Sequence, residues 1–392
     1  MTTAYLDHAA STPMRPEAVA AMVDVLERVP GNPSGQHRWA REARRLLDDA
    51  RDVVADFVGC SPGEVVFTSG GTEADNLAIT GIVGGSGGVP LCLATDHHAA
   101  RRPVEALDGR MAAVHGDGQV QLDRLADLLD ATPGASVLSV ALANNETGVI
   151  QPIGEIAAAV AGHRPACVLH VDAVAGAAWL PLAELLEPAA LISVSAHKLG
   201  GPKGSGALIV RGDTPLAPLL RGGGQERERR SGTPDVAGAV GFAAALQATA
   251  ADRVERVERA TARRDRLQSG LLAAIADSVA TVHDRPDGSP HGPVIANIVH
   301  LCVWNLSREA LLFRLDEEGI AASAGSSCAS GALEESHVLA AMGYPVELSG
   351  GALRLSLGWN TTDADVDHAL SVIPRVVAEL RGSGPVDQAV AG

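Results

Sequence analysis

Between about residues 16 and 250 this chain alternates short apolar runs with helical stretches, and several runs end directly in clusters of Gly, Ser, Thr or Asn. The runs at 64–68, 89–94, 136–141, 167–172, 191–195 and 206–210 read as strands, and apolar spacing marks helices at 41–58 and 122–129. That alternation predicts an α/β layer structure with a largely parallel sheet. In open sheets of this kind the ligand crevice lies beyond the carboxyl ends of the strands, so the polar clusters mark where a site should form. Residues 81–89, rich in Gly, read as a flexible loop.

After residue 241 a stretch rich in Arg, Glu and Ala predicts a long helix to about residue 275. It leads into a second, α+β segment with strands near 295–301 and 351–356, helices near 307–318 and 363–381, a small-residue loop at 323–331 and a frayed tail at 382–392. A length of 392 residues fits two packed domains. Aromatic residues are only 3%, so Ala, Leu, Val and Gly must carry the core. A net charge of −16 argues against duplex nucleic acid as a ligand, and the one basic run, 227–230, is interrupted by Glu228. The start, MTTAYLDHAAS, lacks a basic region followed by an apolar one, and no run reaches the roughly 18 apolar residues of a membrane span. A cytoplasmic protein is expected. Five cysteines, irregularly spaced and without a CxxC pair, suggest reduced thiols and no metal site.

Three features carry chemistry. Lys198 follows a strand and opens the turn Leu-Gly-Gly-Pro-Lys-Gly, with Ser195 and His197 beside it. A lysine that forms a Schiff base must be held at such a strand end, partly desolvated, with its neutral amine accessible. Strand 169–172 ends in Asp172, where a buried acid needs a cationic partner, and a pyridinium nitrogen would supply one. Phe-Thr-Ser-Gly-Gly-Thr, ending at Gly71 and Thr72, joins a strand to a helix start, where amide N–H groups and the Thr72 hydroxyl make a phosphate cradle. Taken singly, Lys198 also reads as a surface lysine, Asp172 as a turn cap and the Gly turn as an ordinary connection. Cys328 sits in Ala-Ser-Ala-Gly-Ser-Ser-Cys-Ala-Ser-Gly, a loop almost without bulky side chains that leaves a thiol exposed and free to move.

Together these elements resemble the pyridoxal-phosphate (PLP) enzymes of the class V aminotransferase type, and among them the cysteine desulfurases of the IscS/NifS kind. The resemblance rests on YLDHAASTP at 5–13, GNPSGQH at 31–37, SGGTEADNLAI at 69–79, NNETGVIQPI at 144–153, HVDAV at 170–174, SAHKLGGPKGSGAL at 195–208, GGGQERERRSGT at 222–233, AGSSCAS at 324–330 and RLSLG at 354–358. It implies fold type I, as in aspartate aminotransferase. The expected architecture is a mixed, mostly parallel seven-stranded sheet in a large domain (14–255), with 1–13 and 256–392 forming a small α+β domain that carries the Cys loop (323–335).

The same resemblance implies a role for each site residue. Lys198 bonds the PLP aldehyde, His97 stacks on the ring and helps move protons, and Asp172 pairs with the ring nitrogen. Gly71, Thr72, Ser195 and His197 hold the phosphate, and Thr233 joins them from the partner subunit of a homodimer. Asn145 contacts cofactor and substrate, while Arg354 clamps the substrate carboxylate with help from Asn32. Cys328 accepts sulfur from L-cysteine as a persulfide, for transfer to an acceptor or scaffold protein in iron–sulfur cluster assembly or thiolation. Two alternatives stand beside this reading: a lyase or transaminase of the same family that does not use Cys328, and a non-catalytic adaptor that binds sulfur carriers. Three positions depart from the family pattern. Ala175 replaces a Gln that bonds the cofactor's phenolic oxygen, a loss of about 1 kcal/mol. Glu228 stands where Gly is typical, and Arg101 and Arg102 replace apolar residues.

Overall fold

The structure, a computed structural model, describes residues 3–163, 167–283, 285, 289–325 and 335–382. In chain order its strands are β1 (Ala4–Tyr5), β2 (Val65–Thr68), β3 (Val89–Leu93), β4 (Arg110–Ala112), β5 (Ala135–Ala141), β6 (Val168–Asp172), β7 (Leu191–Ser195), β8 (Gly206–Val210), β9 (Ser278–Ala280), β10 (Ile298–Val303), β11 (Ile320–Ala321) and β12 (Ala352–Ser356). The helices are α1 (Pro16–Arg28), α2 (Arg38–Val58), α3 (Gly71–Ser86), α4 (His98–Ala106), α5 (Leu122–Asp130), α6 (Ile153–Gly162), α7 (Leu182–Leu185), α8 (Val236–Ala274), α9 (Arg308–Glu317), α10 (His337–Ala341), α11 (Val346–Ser349) and α12 (Asp363–Gly382).

Seven strands form one sheet in the order β2-β8-β7-β6-β5-β3-β4. All neighbours are parallel except β8, which runs antiparallel to both β2 and β7. Its central strands are buried on both faces, as crossover helices require, and so read in sequence as mainly apolar runs with a few buried polar residues such as His170 and Ser193. A separate antiparallel sheet, β12-β10-β9, has its own core around Leu267, Leu271, Val299, Leu301, Leu353 and Leu355. Helix α8 reaches both cores, with Phe242 and Leu246 against the large sheet and Leu267 and Leu271 against the small one. Each such fully buried side chain contributes about 1.5–3 kcal/mol.

Two expectations need correction. The long helix begins at Val236 rather than after residue 241, because the Asp235 carboxylate caps it by accepting from the Gly238 amide at 2.9 Å. The glycine-rich stretch 81–89 is helical up to Ser86. Gly81 is there for close packing: a Cβ on it would lie 2.7 Å from Leu216 Cδ1 and 2.9 Å from the Ala217 carbonyl oxygen. The Ala217 amide also donates to the Gly81 carbonyl at 2.9 Å, so the segment is held, not loose. The tail beyond Gly382 lies outside the described residues.

Candidate active site

The segments that follow the carboxyl ends of β2, β3, β5, β6 and β7 converge on one cavity of about 290 Å³. Gly71 and Thr72 reach it from the first turn of α3, His97 from the cap of α4, and Asn145 from the loop after β5. Asp172 ends β6, while His197 and Lys198 come from the single 3-10 turn after β7. Ser195 is buried behind the Gly turn, its Oγ 3.7 Å from where a Gly70 Cβ would be. Gly70 has φ 143°, a conformation that side chains rarely adopt, and a Cβ on Gly71 would meet Val174 Cγ2 at 2.7 Å. The tight bend thus brings Gly71 and Thr72, in the first turn of α3 where amides lack a helical partner, to the cavity wall.

Lys198 Nζ donates to the Ala10 carbonyl at 2.9 Å and to the Ala9 carbonyl. Burial, with the Arg354 guanidinium second, lowers its pKa to about 8, against the pull of Asp7 and Asp172. His97 Nδ1 accepts from the Ala99 amide at 3.1 Å, which leaves the neutral ring's proton on Nε2. Burial and the Lys198 charge hold that ring to a pKa of about 4, and they do the same to His197. Asp172 is buried and accepts from the Val174 amide at 2.9 Å. Burial raises its pKa, and among the described residues it makes no salt bridge.

Arg354 enters from β12 and is 3% exposed. Its Nη2 bonds Asp7 Oδ1 at 2.8 Å and its Nη1 bonds the Asn145 carbonyl at 2.8 Å, while Nε has no partner among the described residues. The N-terminal segment therefore serves two site residues, through the Ala9 and Ala10 carbonyls and through Asp7.

Eleven of the twelve expected site residues fall within the described residues. Lys198, His97, His197, Asp172, Gly71, Thr72, Asn145 and Arg354 line the cavity, and Ser195 backs it. Thr233 and Asn32 are exposed and outside its wall, and Asn32 Oδ1 accepts from the Ser34 amide at 2.9 Å. Cys328 lies outside the described residues, although Ser323, just before it in the chain, lines the cavity.

Sequence reasoning missed Asp7 and Asp75. Asp75 is 1% exposed on the inner side of α3 and lines the cavity with Asp172. Its only signal was an acid one helical turn after a Gly-Gly pair, a place where acids are usually solvated. Two departures from the family pattern now have physical reasons. Arg101 and Arg102 both pair with Glu105 at 3.1 Å along α4. Glu228 has φ 65°, a left-handed backbone that glycine tolerates without cost. Ala175 lines the cavity wall.

A phosphorylated pyridine aldehyde fits this donor set. A buried carboxylate without a cation waits at one side, a Gly-built cradle of amides at another, and an amine of lowered pKa between them. Over residues 4–369 the chain matches the family Aminotransferase class-V. It is 41% identical to an IscS-like cysteine desulfurase of Mycobacterium tuberculosis, covering 96% of this chain and 97% of that protein. Among solved structures, a NifS-like protein superposes with a TM-score of 0.87 at 30% identity, over 97% of this chain and 100% of the other. SspA in complex with cysteine superposes with a TM-score of 0.76 at 25% identity, over 91% and 99%. The chain belongs to the aminotransferase class-V family and, within it, to the cysteine desulfurases.

Proposed function

We propose that the chain is a PLP-dependent enzyme that removes sulfur from L-cysteine, releases alanine and keeps the sulfur as a persulfide on Cys328. The observation that carries this reading is the convergence of Lys198, Asp172 and Arg354 on one cavity. Asp172 would hold the ring nitrogen, the α3 amides with Thr72, Ser195 and His197 the phosphate, and Lys198 Nζ the aldehyde carbon. Bound there, PLP supplies an electron sink that weakens bonds around the substrate's α carbon.

The chain's own residues do the rest. Arg354 Nε, a buried donor with no partner among the described residues, orients the substrate carboxylate. Lys198, as a free amine, would accept the Cα proton and later return one. His97, with its ring kept neutral, has Nε2–H available for proton transfer over the cavity. The Cys328 thiolate attacks the substrate sulfur: an S–S bond forms and the C–S bond breaks. The electron pair stays with the three-carbon skeleton, which gains a proton and leaves as alanine. The reading extends to a homodimer, with Thr233 completing the partner's phosphate site, and to a sulfur-acceptor protein in the cytoplasm. It divides the chain into a large domain, 14–255, and a small one, 1–13 with 256–392.

The test is release of sulfide and alanine from L-cysteine in the presence of a thiol reductant, wild type beside Cys328→Ala. Equimolar products from wild type, with a loss of at least about 100-fold in the variant, are expected. Full turnover by Cys328→Ala would instead assign a family reaction that does not use this thiol.

A further inference from the structure

Beneath the cavity floor lies a polar chain that the proposed reaction does not use. His170 on β6 is fully buried, with Nδ1 2.9 Å from Ser139 Oγ and Nε2 2.9 Å from Ser193 Oγ. The same Nε2 lies 3.6 Å from Asp75 Oδ1, an oxygen that no hydrogen bond reaches among the described residues. Asp75 and Asp172 both line this cavity, close enough for each carboxyl group to act on the other's ionisation, with the Ser193 hydroxyl near enough to favour the Asp75 carboxylate. Two buried carboxyl groups in contact cannot both be ionised. His170 offers no compensating cation, because burial drives its pKa to about 3.

We infer that Asp75 is a positioning residue: it keeps a proton and donates it in a hydrogen bond to Asp172, so that the floor presents one negative charge, on Asp172, to the cofactor's ring nitrogen. The proton belongs on Asp75 for structural reasons. Asp172 has the Val174 amide donating to it at 2.9 Å and feels the Lys198 charge, and both favour its ionised form. Asp75 has burial and the Asp172 charge against ionisation, with only the Ser193 hydroxyl in favour. One orientation then satisfies the chain: Ser139 donates to His170 Nδ1, His170 Nε2 to Ser193, Ser193 to Asp75, and Asp75 to Asp172. Aligned donors of this kind reinforce one another in a dry interior. Without Asp75's donation, Asp172 would be a carboxylate less well solvated by protein, would hold its own proton more tightly, and would pair more weakly with a pyridinium.

This inference rests on the PLP reading, and its test separates the two. Apoprotein of wild type, Asp75→Asn and Asp75→Ala is titrated with PLP, and nitrogen NMR of isotope-labelled cofactor reports whether the ring nitrogen carries a proton. Asn keeps a neutral donor; Ala removes it. Expected are a dissociation constant within about 3-fold of wild type and a protonated ring nitrogen for Asp75→Asn. For Asp75→Ala, binding should weaken about tenfold and the resonance move toward the unprotonated position. Equal weakening in both variants would show that the charge of Asp75 matters, not its donation, and would overturn the inference, as would no change in either. A wild-type chain that takes up no PLP overturns the cofactor reading as well. Should Asp75→Ala not fold, the infrared difference between wild-type and Asp75→Asn apoprotein decides: a protonated-carboxyl band at neutral pH supports the inference, and carboxylate bands alone overturn it.

Discussion

Lys198 is positioned by contacts that distinguish it from any surface lysine. Two backbone carbonyls hold Nζ, burial strips it of water, and Arg354 adds like charge, so its pKa falls from 10.5 to about 8. The neutral amine is the form that attacks an aldehyde, so reactivity rises as pH passes upward through the folded-state pKa. When apoprotein is mixed with PLP and the adduct is trapped by borohydride, attachment at Lys198 should accelerate with a midpoint near pH 8 instead of near 10.5. Peptide mapping after trapping at several pH values checks this, and a midpoint near 10.5 would mean that Lys198 is solvated like an ordinary lysine.

The segment from Gly222 to Thr233 shows how an element is held by a few buried charges. Glu226, Arg227 and Glu228 are three consecutive residues with left-handed backbone, φ 49°, 55° and 65°. Glu226 locks this turn: its carboxylate bonds Arg51 on α2 at 2.9 and 2.7 Å and accepts from the Phe67 amide at 3.0 Å. Both side chains are nearly buried, at 11% and 6% exposure, so Glu226→Ala would strand the Arg51 charge. A loss of about 3–5 kcal/mol is expected from urea unfolding. Glu228→Gly should do the opposite, stabilising by about 1 kcal/mol in the same assay, because glycine adopts the left-handed region freely. This contrast also marks what a reader of the sequence could and could not see. The strands at 191–195 and 206–210 were legible to the residue, since strands buried on both faces are rich in apolar residues along their whole length. The cavity residues next to Lys198, Asp172 and the Gly turn were legible because each follows a strand end. Gly81 was not, because a glycine packed against Leu216 looks like one in a loop. Asp75 and Asp7 were not, because an acid's burial depends on residues far along the chain: Asp7 meets Arg354 across 347 positions.

At the scale of the whole molecule, eight of the residues assigned to the site face one cavity within a single chain, while Thr233 is exposed outside it. A phosphate contact from Thr233 therefore requires a second copy. Exposed apolar side chains on α1 (Val19, Val23, Leu26), with Trp39 on α2, supply surface that such a copy would cover. Chains carrying Lys198→Ala and chains carrying Thr233→Ala should each be impaired as homodimers. After unfolding and refolding together in equal amounts, half the dimers are mixed, and each mixed dimer has one intact site. About a quarter of wild-type sulfide release should return. No recovery would place Thr233 and Lys198 in the same protomer's site.

The N-terminal strap has a consequence in time as well as in space. Asp7 pairs with Arg354, the Ala9 amide donates to Ser356 Oγ at 2.8 Å, and β1 pairs with β11. Asp7 thus waits in synthesis for a partner 347 positions further along the chain. At about 5–20 residues per second, roughly 20–70 s separate Asp7 from its partner. A half-made chain that has already closed its large sheet therefore still lacks Arg354 in the cavity wall.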